Sequence, residues 1–287
     1  MFGYIHKRDA VALALLLAAC LCLGSVFDYQ ISCALLDPAN LYGRAIEAMG
    51  ELPFELCASA AGVMLVRSAD RSRAAGWIQA VLGVLIAAAV VAYEVHGALR
   101  VDAQLALVAG LASLALIVAG NIAIFSATRD ASPAELRRWA VMVLAVWVVQ
   151  AIVLNLVVKP LWSRPRMRVI AVTPGLEFQP WWQIGHPAKA SFIAAGVIKD
   201  GFKSFASGHT AHAAIGLTLA GLPAAGLKRE PSRRRVVFWA AVALTAAVAL
   251  GRIIAGAHFL SDVTCGFALT FAAECLFARL VRPCGVQ

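Results

Sequence analysis

The sequence predicts an all-α fold, a polytopic membrane helix bundle of about eight spans with both termini on the inner side. Hydrophobic residues make up 61% of the chain, and the mean hydropathy is +0.80. Charged residues make up only 14%, well below the roughly 25% that is usual in soluble domains. A backbone exposed to lipid must satisfy its own hydrogen bonds, which a helix does. The alternating pattern of a membrane barrel is absent from the sequence, so helices are predicted.

Eight apolar segments can be recognised along the chain. Each is close to the roughly 17–25 residues that a helix needs to cross a bilayer. The second segment is the shortest and is marginal. In chain order the segments are 10–27, 52–67, 76–95, 103–126, 138–158, 209–226, 236–252 and 259–280.

The first segment also has features of a lipoprotein signal peptide. Lys7 and Arg8 precede an apolar run that contains Leu-Ala-Ala-Cys, ending at Cys20. The apolar stretch continues past Cys20 to Val26. A first transmembrane helix is therefore the preferred interpretation.

Lysine and arginine are distributed unequally between the two sides of the predicted bundle. With Lys7 and Arg8 inside, the inside connections hold fifteen of the 25 cationic residues and the outside connections hold ten. Eight of those ten lie in the two connections that carry polar patches, which leaves only Arg44 and Arg100 elsewhere outside. A bias of 15 to 2 predicts that the polar patches lie at the outer face. It also explains the net charge of +9 without a nucleic-acid partner.

The longest connection between apolar segments runs from Lys159 to Ala206. Such a length usually indicates function or disorder. The connection contains Trp162, Trp181 and Trp182 together with five prolines. Tryptophan is enriched at the membrane interface, so an ordered lid or wall that lies along the membrane is predicted.

One polar patch, Arg252 with His258 and Asp262, separates the last two segments. His258 and Asp262 are four residues apart and share one helix face. Asp262 can hold one ring nitrogen of His258 and leave the other free, which makes the histidine a competent nucleophile or base. Arg252 precedes a break at Gly256, and its planar fork can grip two phosphate oxygens. The alternative is a structural His–Asp pair at a helix end.

A second patch, Ser207-Gly208-His209, precedes the sixth segment. Ser207 is a good N-cap, and Gly208 lets backbone N–H groups approach a ligand closely. A helix N-terminus after a glycine readily binds an anion, and His209 there can protonate a leaving oxygen. His212, one turn further on, is interpreted as a packing residue. The alternative is an ordinary capped helix with a surface histidine.

A third patch places Lys159, Arg164, Arg166 and Arg168 directly after the fifth segment. Positive charge is disfavoured at the outer end of a membrane helix. Phosphate binding would explain why four cationic residues nevertheless lie at this end of the segment. A solvated cluster that binds lipid headgroups is the alternative.

Together, the three patches resemble the three-part signature of the type-2 phosphatidic acid phosphatases, which share their catalytic core with vanadium-dependent haloperoxidases. The resemblance covers roughly residues 138–281. Three flanking positions depart from the signature, and none of them carries charge or protons: Met167, Ala206 and Gly251. The matching residues are Lys159, Arg166, Ser207, Gly208, His209, Arg252, His258 and Asp262.

The resemblance implies a role for each matching residue. His258 attacks phosphorus to form a phosphohistidine, and Asp262 orients it. His209 protonates the leaving group and then activates water. Arg164 is a possible additional ligand because it also precedes a proline, but Arg166 is preferred for its spacing from Lys159. The residues that stabilise the phosphoryl oxygens are Lys159, Arg166, Arg252, Ser207 and Gly208, the last through its backbone N–H.

No metal or other cofactor is implied by this signature. The outer connection carries only Glu177 and Asp200, which are separated in the sequence. Paired carboxylates for Mg²⁺ are therefore lacking there, and cations of the protein take the place of the metal.

The preferred function is a lipid phosphatase that acts at the outer face of the plasma or inner membrane, with lipid phosphates and membrane lipids as partners. Polyprenyl diphosphate, phosphatidylglycerophosphate, phosphatidate and lipid A-type phosphates all fit. The alternatives are a phosphotransferase with the same His–Asp chemistry and a non-enzymatic phosphate-binding membrane protein. The chain is divided into N-terminal transmembrane helices, 1–137, and a catalytic core, 138–287, with the outer-face loop 159–208.

Several polar residues fall in or beside the apolar segments and need a separate interpretation. Hydrogen bonds between helices, or a protonated structural role, are favoured over catalysis for Glu55, Glu94, Asn121, Asn155 and Glu274. The seven cysteines show no metal-ligand spacing and are interpreted as buried free thiols.

Overall fold

The computed structural model describes residues 4–98 and 103–281, and over these residues it is helical with no β-strand. Seven of its helices are long and apolar enough to cross a membrane. The predicted all-α, multi-pass membrane fold is therefore confirmed. Arg100, Arg282 and Cys284, which entered the sequence interpretation, lie outside the described residues.

The N-terminal part of the chain forms five helices. The pair α2 and α3 together make one membrane crossing, Leu41–Arg67, which is the most buried of the seven. Gly62 and Gly83 allow α3 and α4 to approach closely, since a Cβ at Gly62 would lie 2.6 Å from the Gly83 carbonyl oxygen. The helices are α1 Lys7–Leu35, α2 Leu41–Met49, α3 Leu52–Arg67, α4 Ala74–Ala98 and α5 Ala103–Ala127.

The fifth predicted segment forms α6, Pro133–Ile152, which begins at a capping box made by Ser132 and Glu135. The helix continues without interruption through a π-helical stretch, Val153–Val158, into the short helix α7, Lys159–Trp162. A π-helical turn widens a helix and is frequent at functional sites. Here the π-helical stretch directly precedes Lys159, which lies at the end of the bundle.

The connection after α7 is ordered, as the sequence predicted. It contains α8 Met167–Ile170, α9 Lys189–Ala194 and a 3₁₀ turn at Lys199–Phe202. Trp162 stacks on Phe205 with ring centroids 5.0 Å apart, and the Trp181 indole N–H donates to Ser25 Oγ of α1 at 2.9 Å. These contacts hold the connection as a wall against the helices.

The sixth predicted segment differs from the expected spanning helix. Residues 209–226 are occupied by α10, Gly208–Ala214, a 3₁₀ helix at Ile215–Gly221 and the start of α11, Ala225–Arg229. Pro223 ends the helical run because its ring cannot continue a helix. Most of α10 and the 3₁₀ helix is buried against α3, α12 and α13, so the segment is apolar because it lies inside the bundle.

The last two helices are α12, Pro231–Ile254, and α13, Leu260–Phe277. The left-handed backbone of Gly256 (φ +62°) makes the turn between them. α13 packs along α1, and Arg235 of α12 pairs with Asp9 of α1 at 2.8 Å. The end of the bundle that holds Lys159, Ser207 and Arg252 is called the site end, and the end that holds Asp9 and Arg235 is called the opposite end.

Candidate active site

A cavity of ≈ 1020 Å³ opens at the site end. Its polar part is lined by residues of all three sequence patches: Lys159, Arg166, Arg168, Gly208, His209, Arg252 and His258. Its apolar part extends between α3, α4 and α6 and is lined by residues that include Phe54, Ala58, Ile86, Val90, Leu144 and Trp147. A charged pocket and an apolar channel are thus continuous with each other.

His258 lies in the turn between α12 and α13, and its side chain is buried. The ring atom Nδ1 is 2.6 Å from the backbone carbonyl oxygen of Ser204. A carbonyl oxygen can only accept a hydrogen bond, so Nδ1 carries the hydrogen and Nε2 keeps its lone pair. Burial, with Arg252 and then Arg166 nearby, lowers the pKa of His258 well below its ordinary value. The free imidazole is therefore uncharged at neutral pH.

Asp262 does not hold the ring of His258 in the way the sequence predicted. Its Oδ2 lies 4.0 Å from His258 Nδ1, which is too long for a hydrogen bond. The same oxygen accepts from Ser204 Oγ at 2.5 Å and from the Phe259 backbone N–H at 2.8 Å. Asp262 therefore fixes residue 204, whose carbonyl in turn orients the histidine.

Arg164 is fully buried and is not among the residues that line the cavity. Its guanidinium pairs with Asp262 at 2.5 Å and with Asp28 of α1 at 2.9 Å. The ring of Phe259 lies 4.2 Å below the guanidinium carbon. The possible phosphate ligand proposed from the sequence is thus a structural residue that joins α1 to α13.

Arg166 and Lys159 both face the cavity. Arg166 pairs with Asp200 at 2.9 Å, and its Nε has no hydrogen-bond partner among the described residues. The Lys159 ammonium donates a hydrogen bond to Asn155 Oδ1 at 3.2 Å, which orients the ammonium. A Cβ at position 208 would lie 3.2 Å from Lys159 Nζ, so Gly208 leaves room for the ammonium.

Arg252 is 2% exposed, yet part of its guanidinium is unpaired. Nη2 lies 3.5 Å from Glu47 of α2, whereas Nε and Nη1 have no hydrogen-bond partner within the described part of the chain. Buried polar groups are normally hydrogen-bonded. Two unsatisfied donors beside a cavity therefore point to an anion as their partner.

Ser207 caps α10, as the sequence predicted, and its Oγ accepts from the Thr210 backbone N–H. The residue is fully buried and is not among the residues that line the cavity. Its own N–H donates to the Asp262 carbonyl at 2.9 Å, which ties the second patch to α13. The structure thus gives Ser207 a positioning contact, and Gly208 lies at the cavity wall instead.

His209 follows Gly208 and faces the same cavity. Its Nε2 lies 3.2 Å from the Glu47 backbone oxygen, and its Nδ1 lies 3.5 Å from the Glu51 carboxylate. Burial, followed by the positive charge of Arg252, lowers the pKa of His209 to about 4. In the ligand-free protein this histidine is therefore also neutral at pH 7.

The sequence interpretation missed three site residues: Glu47, Glu51 and His212. Glu51 directly precedes the second predicted segment, 52–67, and His212 was interpreted as a packing residue. His212 does stack on Phe54, with centroids 4.6 Å apart, but its Nδ1 is also 2.8 Å from Glu51. The available signal was the four-residue spacing of Glu47 and Glu51, which points both carboxylates in similar directions just before the second predicted segment.

Most of the other intramembrane polar residues make contacts within the bundle. Asn121 of α5 donates to Ser59 of α3 at 2.8 Å, and Glu55 shares a hydrogen bond with Glu94 across α3 and α4. Glu274 accepts from the Tyr4 hydroxyl. The described cysteines are free, and Cys22 and Cys33 are exposed rather than buried.

The comparisons with known proteins found one match. Residues 139–285 match the family model described as PAP2 superfamily. No curated protein and no solved structure matched the chain. Within the described residues, no three His, Cys, Asp or Glu side chains are grouped so that they could hold a metal ion, and metal independence stays a prediction.

Proposed function

The chain belongs to the PAP2 superfamily, and we propose that it is a lipid phosphatase that hydrolyses a phosphomonoester or diphosphate of a lipid through a phosphohistidine. Family membership and the seven apolar helices support phosphatase activity in a multi-pass membrane protein. The observation that carries the finer proposal is the set of unpaired N–H donors of Arg252 and Arg166 in one cavity with two neutral histidines.

The charges around the cavity suit a phosphate group. Lys159 and Arg166 come from one polar patch, Arg252 comes from another, and all three line the same pocket. Preorganised donors of this kind stabilise the charge that develops on phosphoryl oxygens during transfer. Because Arg252 is buried, its interaction with an anion is screened little by water.

In the first chemical step, the lone pair on His258 Nε2 attacks phosphorus. The bond between phosphorus and the leaving oxygen breaks, and the electron pair of that bond passes to the leaving oxygen. The protonated form of His209 gives this oxygen a proton and becomes neutral. The Ser204 carbonyl keeps the Nδ1 proton of His258 in place, which stabilises the positive charge on the phosphorylated ring.

In the second step, neutral His209 removes a proton from water while the water oxygen attacks phosphorus. The bond between phosphorus and Nε2 breaks, and its electron pair returns to His258. Inorganic phosphate is released, and the nucleophile is regenerated. His209 is left protonated, as the next first step requires.

The apolar part of the cavity supports an amphiphilic substrate. Phe54 and Trp147 are stacked with centroids 5.5 Å apart beside Ala58 and Val90, and all four line the channel. A lipid chain could lie there while its phosphate reaches the cations. The 15 to 2 distribution of cationic residues supports an active site at the outer face.

Phosphate release by the purified protein in detergent with EDTA tests this proposal. The substrates are phosphatidate, phosphatidylglycerophosphate and a polyprenyl diphosphate, and His258→Ala is the inactive variant. His186→Ala, a histidine of the outer connection that is not among the cavity-lining residues, is the matched control. We expect release by the wild type and by His186→Ala only.

The other outcomes each have a defined meaning. Unchanged release by His258→Ala would exclude this histidine as the nucleophile. Loss of the lipid phosphate without free phosphate, in the presence of an alcohol acceptor, would identify a phosphotransferase. Binding of lipid phosphates without turnover would identify a binding protein.

A further inference from the structure

The site contains a carboxylate that the catalytic steps above do not use. We propose that Glu51 is a positioning residue that holds His209 by its Nδ1–H and supports its protonated, acid form. This inference rests on the proposed function, because it assigns a partner to the acid of that reaction. Glu51 lies outside residues 139–285, the part of the chain that matches the family model.

One oxygen of Glu51 is shared between two imidazole rings. Oε1 lies 2.8 Å from His212 Nδ1 and 3.5 Å from His209 Nδ1. Oε2 accepts a hydrogen bond from the Tyr93 hydroxyl of α4. The carboxylate is therefore hydrogen-bonded through Oε2, and its Oε1 lies within ion-pair distance of both rings.

The backbone and the neighbouring rings reinforce this orientation. Glu51 occupies the N-cap position of α3, where the helix dipole favours a negative charge. The His212 ring stacks on Phe54, a contact that favours its present orientation. The carboxylate is thus fixed by residues of α3, α4 and α10.

The surroundings of His209 fit an imidazolium better than a neutral ring. Nε2 faces the Glu47 carbonyl oxygen and Nδ1 faces the Glu51 carboxylate, and both of these groups can only accept. A neutral imidazole has one N–H and can satisfy one acceptor, whereas the protonated ring has two. Burial and the charge of Arg252 oppose protonation in the ligand-free protein. A bound phosphate offsets the charge of Arg252 and leaves Glu51 as the nearest charge in favour of the acid form.

The two nitrogens of His209 then have separate tasks. Nδ1–H stays bonded to Glu51 throughout the reaction. Nε2–H exchanges the Glu47 carbonyl for the leaving oxygen, gives up its proton as the bond to phosphorus breaks and regains a proton from water. The titratable and charged groups around His209 in this scheme are Glu47, Glu51, Tyr93, Lys159, His212, Arg252 and His258.

A comparison of leaving groups tests the proposal. Glu51→Gln keeps the size and the acceptor oxygen but removes the charge. With enzyme in excess, first-turnover release of the alcohol is measured for phosphatidate and for p-nitrophenyl phosphate, whose phenolate leaves without a proton. We expect release from phosphatidate to slow about 100-fold, the usual contribution of a general acid. Release of p-nitrophenolate should change by less than about 5-fold, because it needs no acid.

Two further variants keep the test decisive. Glu274→Gln makes the same substitution at another buried glutamate that is hydrogen-bonded to a tyrosine, outside the cavity, and should leave both rates unchanged. Glu51→Asp should recover part of the loss on phosphatidate. An equal loss on both substrates, or no loss on either, would overturn the role of Glu51. Absence of turnover in the wild type would instead contradict the proposed function.

Discussion

Arg164 and Arg166 are two residues apart and face different parts of the protein. Arg164 lies between Asp28 and Asp262 with no exposed surface, whereas Arg166 keeps one unpaired nitrogen beside the cavity. Arg166 has an extended backbone (φ −79°, ψ 145°) at the N-cap position of α8. Of these two neighbouring cations, Arg164 makes structural ion pairs and Arg166 faces the cavity.

Substitution of these arginines should give opposite phenotypes. Arg164→Ala leaves two buried carboxylates without their cation, which typically costs about 3–5 kcal/mol. We expect a lower yield of monodisperse protein and a lower melting temperature in detergent. Arg166→Ala should fold normally and lose phosphatase activity. An unchanged melting temperature for Arg164→Ala would contradict this structural role of Arg164.

The route from Asp262 to His258 through Ser204 can be tested separately. Ser204→Ala removes one hydrogen bond to Asp262 but keeps the carbonyl that holds the histidine. We expect a loss of stability of about 1 kcal/mol and a small loss of activity. Asp262→Asn should slow phosphohistidine formation and lower the melting temperature more strongly, because Arg164 also loses its partner charge. If Ser204→Ala and Asp262→Asn lowered activity and melting temperature equally, the result would argue against this route.

The depressed pKa of His209 should make stability depend on pH. In the folded protein the pKa is about 4, and in the unfolded chain it returns to about 6.5. Between these values only the unfolded state binds the proton, so stability is lost as the pH falls from about 6.5 to about 4. The melting temperature of the wild type relative to His209→Gln should therefore decrease over this range. Parallel curves for the two proteins would contradict the assignment.

Among individual residues, the histidines and most of the cations of the site could be predicted from the sequence. His209, His258 and the cations Lys159, Arg166 and Arg252 lie around one cavity, as the motif spacing indicated. Glu47 and Glu51 could not be assigned to it, because their contacts with His209 join residues 158 or more positions apart. The packing of α3 against α10 and of α2 against α12 brings them together.

Among the elements, the turn between α12 and α13 matters most for the position of the nucleophile. Gly256 has a φ of +62°, a conformation that other residues rarely adopt. Its N–H donates to the Ile253 carbonyl at 2.9 Å, and its own carbonyl accepts from the Arg168 N–H at 2.8 Å. The turn thereby fixes His258, two residues later, relative to Arg168 of the long connection between α7 and α10.

Gly256→Ala should therefore damage both stability and activity. The new methyl group would lie 2.3 Å from Leu36 Cδ1 and 3.0 Å from the Arg168 backbone nitrogen, in addition to the backbone strain of about 1–2 kcal/mol. Gly175→Ala is the matched control, because Gly175 has a φ of +76° but no atom within 4 Å of the new Cβ. We expect a lower melting temperature and a reduced turnover for Gly256→Ala. Only the smaller stability loss is expected for Gly175→Ala, and equal turnover in the two variants would contradict a positioning role for the turn.

The elements themselves were predictable to different degrees. Long apolar runs, such as α4 and α5, coincide with the predicted segments 76–95 and 103–126 to within a few residues. α1 extends to Leu35 although the predicted segment ends at residue 27, because Asp28 is paired inside the protein with Arg164. The segment 209–226 was predicted as a span because hydropathy does not distinguish a surface facing lipid from one facing other helices.

On the scale of the whole molecule, the site depends on both halves of the chain. Asp28, Glu47 and Glu51 belong to the N-terminal part of the chain, whereas the histidines and cations that line the cavity follow residue 138. The proposed division into helices 1–137 and a catalytic core 138–287 therefore does not separate the site residues. Composition and charge predicted the membrane fold, but they contain no information on this pairing between halves.

Separate expression of the two halves tests this dependence. The loop at residues 128–132 is a suitable break, since Arg129 and Asp130 are largely exposed. Residues 131–287 alone should be poorly folded and inactive, because Arg164 and Arg252 lose Asp28 and Glu47. Co-expression with residues 1–130 should restore phosphatase activity in the purified complex. Full activity of the C-terminal half alone would show that the N-terminal contacts are dispensable.

The continuity of the charged pocket with the apolar channel has a consequence for inhibitor design. A phosphonate head alone would engage Lys159, Arg166 and Arg252, residues within the segment that matches the family model. The channel wall made by Phe54, Ala58, Ile86 and Val90 lies outside that segment. A compound that carries a phosphonate on a hydrophobic tail shaped to this wall would draw its potency from the head and its selectivity from the tail.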